Sequence, residues 1–271
     1  MIEQSENQYL SFNAHKIHYI LFGRGEKLLF CFHGFGETAF SFSVLEAALG
    51  NKYTLVSIDL PLHGLTKWED PFFLKDDLKN IISLFLKRFD RKRFSLMGFS
   101  LGGKMVIGAL KELPELIDEV FLIAPDGLRK NILYNISIYS AWGRKLFLNL
   151  VKHPEKYFAF VRFFAWLKFI PLSLESFLVA QLSTEEKRQF SFDVWYCIKD
   201  FDTGVKTARQ LLNENKIHSY LFFGEFDKVI RPVFGKRFVR GLNNTQLVIL
   251  PKGHHLVKEY LNDELLKALN K

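Results

Sequence analysis

Short apolar runs alternate along most of this chain with stretches in which apolar residues recur at helical spacing. A continuous apolar run of four to eight residues is typical of a strand that is buried on both faces of a parallel sheet. Two further β-prone runs, at 8–12 and 16–22, predict a hairpin. The buried strands are predicted at 28–32, 54–58, 94–97, 119–124, 219–223 and 246–250.

Helical periodicity fills most of the intervals between these runs. Residues 76–89 form the clearest amphipathic helix, since their apolar side chains fall on one stripe. The stripe consists of Leu78, Ile81, Ile82, Phe85 and Leu86. Other helices are predicted at 41–49, 104–113, 203–213, 231–242 and 263–269. Strands that alternate with helices predict an α/β fold with a mainly parallel central sheet flanked by helices.

The alternation stops between about Leu128 and Asp200. This region contains the aromatic, basic segment 157–168, a helical stretch near 174–182, and a helix start at Thr184, where the glutamates that follow suit the helix dipole. We interpret the region as an all-helical insertion. The predicted domains are therefore an α/β core formed by residues 1–127 and 201–271, interrupted by a helical insertion at 128–200.

Composition and charge limit the classes of partner. The 271 residues include 37 basic and 29 acidic side chains, a formal net charge of +8. Such an excess suits an anionic partner, but no zinc-finger, helix-turn-helix or RNA-recognition spacing accompanies it. The basic residues are scattered, with one loose cluster at 87–93 that we interpret as a solvated connection. We expect no nucleic-acid partner.

Cysteine content and hydropathy bear on location. Cys31 and Cys197 are too few for a disulfide framework, and Cys31 lies in an apolar run, where cysteine acts as a small buried hydrophobe. The first residues are polar and acidic, unlike a signal peptide. No charge-free stretch reaches the roughly 18 residues that a membrane span needs. We expect a cytoplasmic protein without a membrane span.

The segment with the strongest chemical signature is Gly98-Phe-Ser-Leu-Gly102, between a predicted strand and a predicted helix. A glycine two places to either side of Ser100 permits a sharp turn that pushes the hydroxyl outward and exposes it as a nucleophile. A serine hydroxyl is unreactive at neutral pH without a base. A base, an acid and an anion site are therefore expected at other strand ends, where open α/β sheets bind ligands.

The base and the acid each have a preferred and an alternative residue. His254 and His255 follow the last strand, and we prefer His254 because a glycine precedes it and frees the loop backbone. Asp227 follows the strand before, which gives the chain order serine, acid, histidine that a serine turn of this kind uses. Asp126, after the preceding strand, is the alternative acid.

The remaining polar residues at strand ends receive structural interpretations. Asp59 is interpreted as a carboxylate that fixes a loop. His33 and His63 stand at strand ends in tight glycine-containing loops, and we assign them structural roles. The other histidines have no evident partner in the sequence; these are His15, His18, His153 and His218.

An acyl-transfer site also needs donors for the oxyanion that develops on the substrate. The backbone N–H of Leu101 lies at the start of the helix after Ser100, where N–H groups point outward. A second donor is predicted at the N–H of Phe35, within the loop His33-Gly-Phe-Gly36, because the glycines allow close approach.

Taken together, these residues resemble the α/β-hydrolase fold family of serine hydrolases with a helical cap, over nearly the whole chain. The resemblance implies that Ser100 is the nucleophile, Asp227 the acid and His254 the base, with Phe35 and Leu101 as oxyanion donors. Residues 59–64, Asp-Leu-Pro-Leu-His-Gly, resemble the family's Asp-x-Pro-Gly-His-Gly loop. Leu62 replaces the first glycine of that loop, a departure that concerns its shape.

The resemblance also narrows the chemistry. Family members that open epoxides or displace halide carry an aspartate at the elbow, so Ser100 argues against both reactions. The implied reaction is acyl transfer through an acyl-enzyme, and neither a cofactor nor a metal is expected. A thioesterase, a carbon–carbon hydrolase or a lyase would use the same triad, and a ligand receptor with low turnover would retain it.

The insertion bears on the substrate. Its segment 157–167 is dense in aromatic residues, which either bury one face on the core or form an apolar roof for an acyl or aryl group. Arg162 and Lys168 would also allow weak contact with a membrane surface. The expected function is hydrolysis of a carboxylic ester with a small to medium apolar acyl or aryl group.

Overall fold

A computed structural model describes residues 7–129, 132–157, 159, 182–201 and 204–270. The chain divides into two compact units, Met1–Arg129 with Asp200–Lys271 and, separately, Lys130–Lys199. The limits predicted for the insertion, 128 and 200, lie within two residues of these boundaries.

The larger unit is built on one sheet of eight strands. The strands are β1 Gln8–Phe12, β2 His15–Phe22, β3 Lys27–Phe32, β4 Tyr53–Ile58, β5 Phe94–Phe99, β6 Ile117–Ile123, β7 His218–Gly224 and β8 Thr245–Leu250. The first two strands are antiparallel to their neighbours, and the other six are mutually parallel. Each predicted apolar run forms a strand, so the predicted α/β fold with a mainly parallel sheet is confirmed. Across the sheet the strands lie in the order β1-β2-β4-β3-β5-β6-β7-β8.

The register of the central strands brings the candidate loops to one edge of the sheet. All six residues of β5 are buried, as expected for a parallel strand covered on both faces. Phe32 of β3 pairs with Gly98 of β5, so the loops that carry Phe35 and Ser100 start side by side. Gly224 of β7 pairs with Leu250 of β8, so the loops that carry Asp227 and His254 also start side by side.

Helices cover the sheet largely where the periodicity predicts them. In the larger unit they are α1 Glu46–Leu49, α2 Lys75–Arg88, α3 Gly102–Glu112, α7 Val205–Glu214, α8 Pro232–Phe238 and α9 Leu261–Leu269. The three intervening helices belong to the smaller unit. The apolar stripe predicted on α2 is buried. The helix predicted at 41–49 is instead a 3₁₀ helix over Ala39–Leu45 followed by α1. Its buried residues fall three apart, a spacing that places them on one face of a 3₁₀ helix.

The described part of the smaller unit contains helices α4 Ile132–Tyr139, α5 Ala141–Lys152 and α6 Glu185–Cys197. Thr184 caps α6 by accepting a hydrogen bond from the Lys187 N–H, so the predicted helix start is confirmed. The small apolar core of this unit contains Tyr134, Ile138, Phe147 and Phe192. The segments predicted at 157–168 and 174–182 lie outside the described residues, apart from 157, 159 and 182.

Cysteine and hydropathy findings complete the fold. Cys31 and Cys197 are both buried and carry free thiols. Burial raises the pKa of the Cys31 thiol well above its ordinary value, in keeping with its interpretation as a small hydrophobe. Across the part of the chain that the structure describes, no helix has the length and apolarity to cross a bilayer.

Candidate active site

Ser100 forms a sharp turn between β5 and α3. Its φ of +48° lies in the left-handed region, which side chains other than glycine adopt at an energetic cost. The turn is held by its own backbone: the Ser100 N–H donates to the Ile123 carbonyl at 3.0 Å, and the Ser100 carbonyl accepts from the N–H groups of Gly103 at 2.9 Å and Asp126 at 2.7 Å. The serine is therefore fixed at this turn, where it is half-buried.

The two glycines of this turn are required by close approach of the backbone. A Cβ atom at Gly102 would lie 1.9 Å from the Phe32 carbonyl oxygen, and one at Gly98 would lie 2.5 Å from the Gly102 carbonyl oxygen. Real Cβ contacts do not reach these distances, so any side chain at either position would force β3, β5 and α3 apart.

Ser100, His254 and Asp227 form a continuous hydrogen-bonded chain. His254 Nε2 lies 2.9 Å from Ser100 Oγ, and His254 Nδ1 lies 2.7 Å from Asp227 Oδ2. Because a carboxylate only accepts, Nδ1 carries the ring hydrogen, and Nε2 is left to accept the serine hydroxyl hydrogen. The three residues that we preferred in the sequence thus come together, although 154 positions separate Ser100 from His254.

Asp227 is held rigidly in the loop after β7. Its side chain is 0% exposed, and its Oδ1 accepts hydrogen bonds from the N–H groups of Val229 at 2.7 Å and Ile230 at 2.8 Å. Both carboxylate oxygens are therefore engaged, one by the loop and one by the imidazole. A carboxylate fixed in this way orients the His254 ring.

The alternative residues lie elsewhere. The Asp126 carboxylate accepts from the Gly127 N–H at 2.7 Å and lies 3.6 Å from Lys104 Nζ, so it is paired away from the imidazole. The His255 side chain is 74% exposed, and its Nδ1 is 3.9 Å from Glu37 Oε1. The geometry favours Asp227 over Asp126 and His254 over His255.

His33 braces the loop that carries Phe35. Its Nδ1 donates to the Gly34 carbonyl at 2.8 Å, and its Nε2 accepts from the Leu60 N–H at 3.0 Å. Burial, together with the neighbouring His63 imidazole, lowers the pKa of His33 to about 4. The ring is therefore neutral at neutral pH and joins the loops after β3 and β4, which agrees with its predicted structural role.

Asp59 ties together three segments at the same sheet edge. Its carboxylate accepts from the Ala39 N–H at 2.6 Å and the Leu65 N–H at 2.7 Å, and it lies 2.6 Å from His18 Nδ1. The loop-fixing interpretation of Asp59 agrees with these contacts. The expectation that His18 has no partner is wrong, because the antiparallel pairing of β2 with β4 brings these distant residues together.

Phe99 is a residue of the site that the sequence analysis missed. Its side chain is 2% exposed, and a Cβ atom at Gly34 would lie 2.9 Å from its ring. The ring therefore fills the space between the serine turn and the loop that carries Phe35. The sequence gives no sign of this beyond an aromatic residue inside the serine motif.

The arrangement has the chemistry of an activated oxygen nucleophile: a hydroxyl that donates to an imidazole, itself held by a buried carboxylate. Leu101 is the N-cap residue of α3, at the end of the helix where the first N–H groups lack intrahelical partners and can face an anion. Among the described residues, no group of three or more His, Cys, Asp or Glu side chains is arranged to hold a metal ion.

Comparison with known sequences extends these findings. A family model described as the alpha/beta hydrolase family matches residues 28–263. The chain is also similar to an uncharacterized hydrolase of Bacillus subtilis, YugF, with 32% identity over 107 residues. That match spans 39% of this chain and 39% of the Bacillus protein, well under half the length of the relative.

Solved structures resemble the whole chain. The carboxylesterase CesB (YbfK) from Bacillus subtilis superposes with a TM-score of 0.65 at 19% identity, covering 98% of this chain and 92% of that one. The enol-lactonase from Burkholderia xenovorans LB400 superposes with a TM-score of 0.67 at 14% identity, covering 97% and 100%. At these identities the likeness concerns the fold.

Proposed function

The chain belongs to the α/β hydrolase family, and from this premise we propose that it is a serine hydrolase that cleaves a carboxylic ester through an acyl-enzyme. One observation carries the proposal: the hydrogen bonds that run from Ser100 through His254 to Asp227. A buried carboxylate, an imidazole and a hydroxyl in this order supply a base and a nucleophile at neutral pH.

In the proposed reaction, Ser100 Oγ attacks the ester carbonyl while its proton passes to His254 Nε2. The N–H groups of Phe35 and Leu101 are the proposed donors to the oxyanion of the tetrahedral intermediate. Collapse of that intermediate breaks the acyl–oxygen bond, and His254 gives its proton to the departing alkoxide. Asp227 accepts from Nδ1–H throughout and stabilises the transient imidazolium.

Water then completes the cycle. His254 Nε2 removes a proton from water as the water oxygen attacks the acyl-enzyme carbonyl. The second tetrahedral intermediate breaks the bond to Ser100 Oγ, and the proton returns from His254 to the serine. The products are a carboxylic acid and an alcohol, and no other reactant is needed.

We propose an apolar acyl or aryl group of small to medium size. Two exposed apolar side chains in loops that follow parallel strands support this choice: Phe226, directly before Asp227, is 62% exposed, and Leu62, in the loop after β4, is 40% exposed. Structural neighbours described as a carboxylesterase and an enol-lactonase are consistent with cleavage of an acyl–oxygen bond. The assignment of residues 128–200 as a helical cap stays a prediction.

A fluorophosphonate probe tests the nucleophile. We expect stoichiometric labelling of the wild type and none of Ser100→Ala, with circular dichroism to show that the variant is folded. Ser95→Ala is the matched control, because Ser95 is a buried serine of β5 that should leave labelling unchanged. Labelling that persists in Ser100→Ala would overturn the assignment.

A substrate series tests the reaction. Turnover of p-nitrophenyl esters with acyl chains of two to about twelve carbons, beside matched thioesters, should give the highest kcat/KM for a small or medium oxygen ester. Consistently faster turnover of the thioesters would replace the proposed substrate class. A protein that is labelled but turns over none of these compounds would contradict the proposal that it is an esterase.

A further inference from the structure

A groove of about 520 Å³ borders Asp227 on the larger unit, and the proposed reaction does not use it. One continuous stretch of chain, from the end of β7 through α8, lines the groove. Its volume is in the range of small-molecule sites, which are typically about 300–1,000 Å³. The groove is therefore large enough for a small organic ligand.

Three cationic side chains line this groove: Arg231, Lys236 and Arg237. None of them forms an ion pair with a described residue. Of the two carboxylates that also line it, Asp227 already has both oxygens engaged by its loop and by the imidazole. Three cations against two carboxylates, Asp227 and Glu225, leave the groove with an excess of one positive charge, which an anion would neutralise.

An aromatic contact restricts Arg231, one of the two arginines that line the groove. The guanidinium carbon of Arg231 lies 5.8 Å from the centre of the Phe234 ring, and that of Arg129 lies 4.9 Å from the same ring. Contacts of this kind hold a planar guanidinium against the ring face. An arginine held in this way still presents its N–H donors, whose geometry matches a carboxylate or a phosphate.

Part of the groove is apolar. Val233 and Phe234 contribute to its lining beside the cations. A ligand that carries both an oxyanion and an apolar body would therefore satisfy more of the groove than an inorganic ion would.

We propose that this groove binds a small organic anion, with its carboxylate or phosphate held by Arg231 and Arg237 and its apolar body against Val233 and Phe234. Lys236 adds a third positive charge. Neither Ser100 nor His254 lines the groove. Asp227 belongs both to the groove and to the hydrogen-bonded chain with Ser100 and His254. This inference does not depend on the proposed esterase activity.

Isothermal titration calorimetry on the whole chain tests the site. The probes are phenyl phosphate and benzoate, with benzyl alcohol as the neutral analogue. The wild type should bind at least one anion and not the alcohol, and the tighter anion identifies the headgroup. The double variant Arg231→Gln/Arg237→Gln should weaken that binding by about tenfold or more.

A charge-matched control separates the groove from general surface charge. Lys87→Gln/Lys92→Gln also removes two positive charges, from exposed residues at the end of α2 and after it, which do not line the groove. It should change the dissociation constant by less than about twofold, because exposed charges beyond a Debye length are screened. Lys236→Gln, a single exposed substitution, provides a second groove variant should the double variant unfold.

Several results would overturn the proposal. The first is an equal loss of affinity for the anion in the groove variant and the control. The second is binding of benzyl alcohol as tight as that of the anions. The third is no detectable binding of either anion at millimolar concentration. Binding is read directly, without turnover, so failure of the esterase proposal leaves this test intact. Conversely, an active esterase that binds neither anion would refute the groove alone.

Discussion

The Phe99 ring lies 5.4 Å from the His254 ring, at an interplanar angle of 37°. Asp227 fixes which nitrogen of His254 carries the hydrogen, but its hydrogen bond at Nδ1 does not by itself prevent the ring from tilting. The buried Phe99 ring limits that tilt from the side. Since Phe99 directly precedes Ser100, the residue before the proposed nucleophile also packs beside the proposed base.

We predict that Phe99→Leu lowers kcat for an ester by about tenfold with little change in KM, because a mispositioned base affects the reaction more than binding. Phe94→Leu is the matched control, since Phe94 is a fully buried phenylalanine of the same strand whose ring packs on Phe30. Both substitutions should lower the free energy of unfolding to a similar extent. Steady-state kinetics and urea unfolding separate the two effects, and equal kcat values would reduce Phe99 to a core residue.

The same relationship can be approached from the opposite side of the ring. Gly34→Ala places a methyl group against the Phe99 ring, which must then shift. We expect Gly34→Ala to lower kcat in the wild-type background. In the Phe99→Leu background the same substitution should lower kcat by a smaller factor, because the leucine side chain leaves more room for the added methyl group. Strictly additive effects would show that the two residues act independently.

A second prediction concerns the two aspartates. Asp227→Asn should lower kcat by about 10³-fold or more, because an amide in place of the carboxylate no longer favours the required tautomer or the imidazolium. Asp126→Asn should cost less than about tenfold, since the Asp126 carboxylate contacts Lys104 and the Gly127 N–H. Labelling rates with a fluorophosphonate and kcat for one ester measure both. Equal, mild losses at the two positions would mean that neither aspartate is the acid.

A third prediction concerns pH and His33. Its pKa is about 4 in the folded protein and ordinarily about 6.5, so the unfolded chain takes up this proton first as the pH falls. The contribution of the neutral His33 ring to the free energy of unfolding is thus fully present above pH 6.5 and is lost between pH 6.5 and 4. For one group with this shift the loss of stability is on the order of 2 kcal/mol by pH 4.5.

Because carboxylates also titrate in this range, the measurement is a difference between variants. His33→Gln should be less stable than the wild type at pH 7.5, and the gap should narrow by about 2 kcal/mol at pH 4.5 in urea unfolding. His218→Gln, at an exposed position of β7, should show no such narrowing. A gap for His33→Gln that stays constant across this pH range would refute the predicted titration.

The strands and the preferred site residues follow from local signals in the sequence. Each buried strand is an apolar run, and in a parallel sheet the ends of such runs share an edge, so Ser100, Asp227 and His254 can be grouped without knowing the strand order. The His18–Asp59 pair cannot be predicted in this way, because it depends on β4 lying between β2 and β3. The ring contact between Phe99 and His254 likewise depends on packing, which periodicity does not encode.

Leu62 supports a last prediction, since it occupies a conformation that favours glycine. Its φ is +66°, and it stands where the resembling loop has glycine. Left-handed backbone costs a residue with a side chain roughly 1 kcal/mol or more, whereas glycine costs about 0.5–1 kcal/mol in lost chain entropy. Leu62→Gly should therefore leave the free energy of unfolding unchanged or raise it slightly.

Leu65→Gly is the comparison, because Leu65 lies in the same loop, is 48% exposed against 40% for Leu62, and is not among the residues with positive φ. It should lower the free energy of unfolding by about 1 kcal/mol. If the Leu62 side chain contacts the apolar part of an ester, Leu62→Gly should also lower kcat/KM for the longer acyl chains without loss of stability. Equal destabilisation by the two substitutions would show that no strain is stored at Leu62, and unchanged chain-length preference would exclude it from substrate contact.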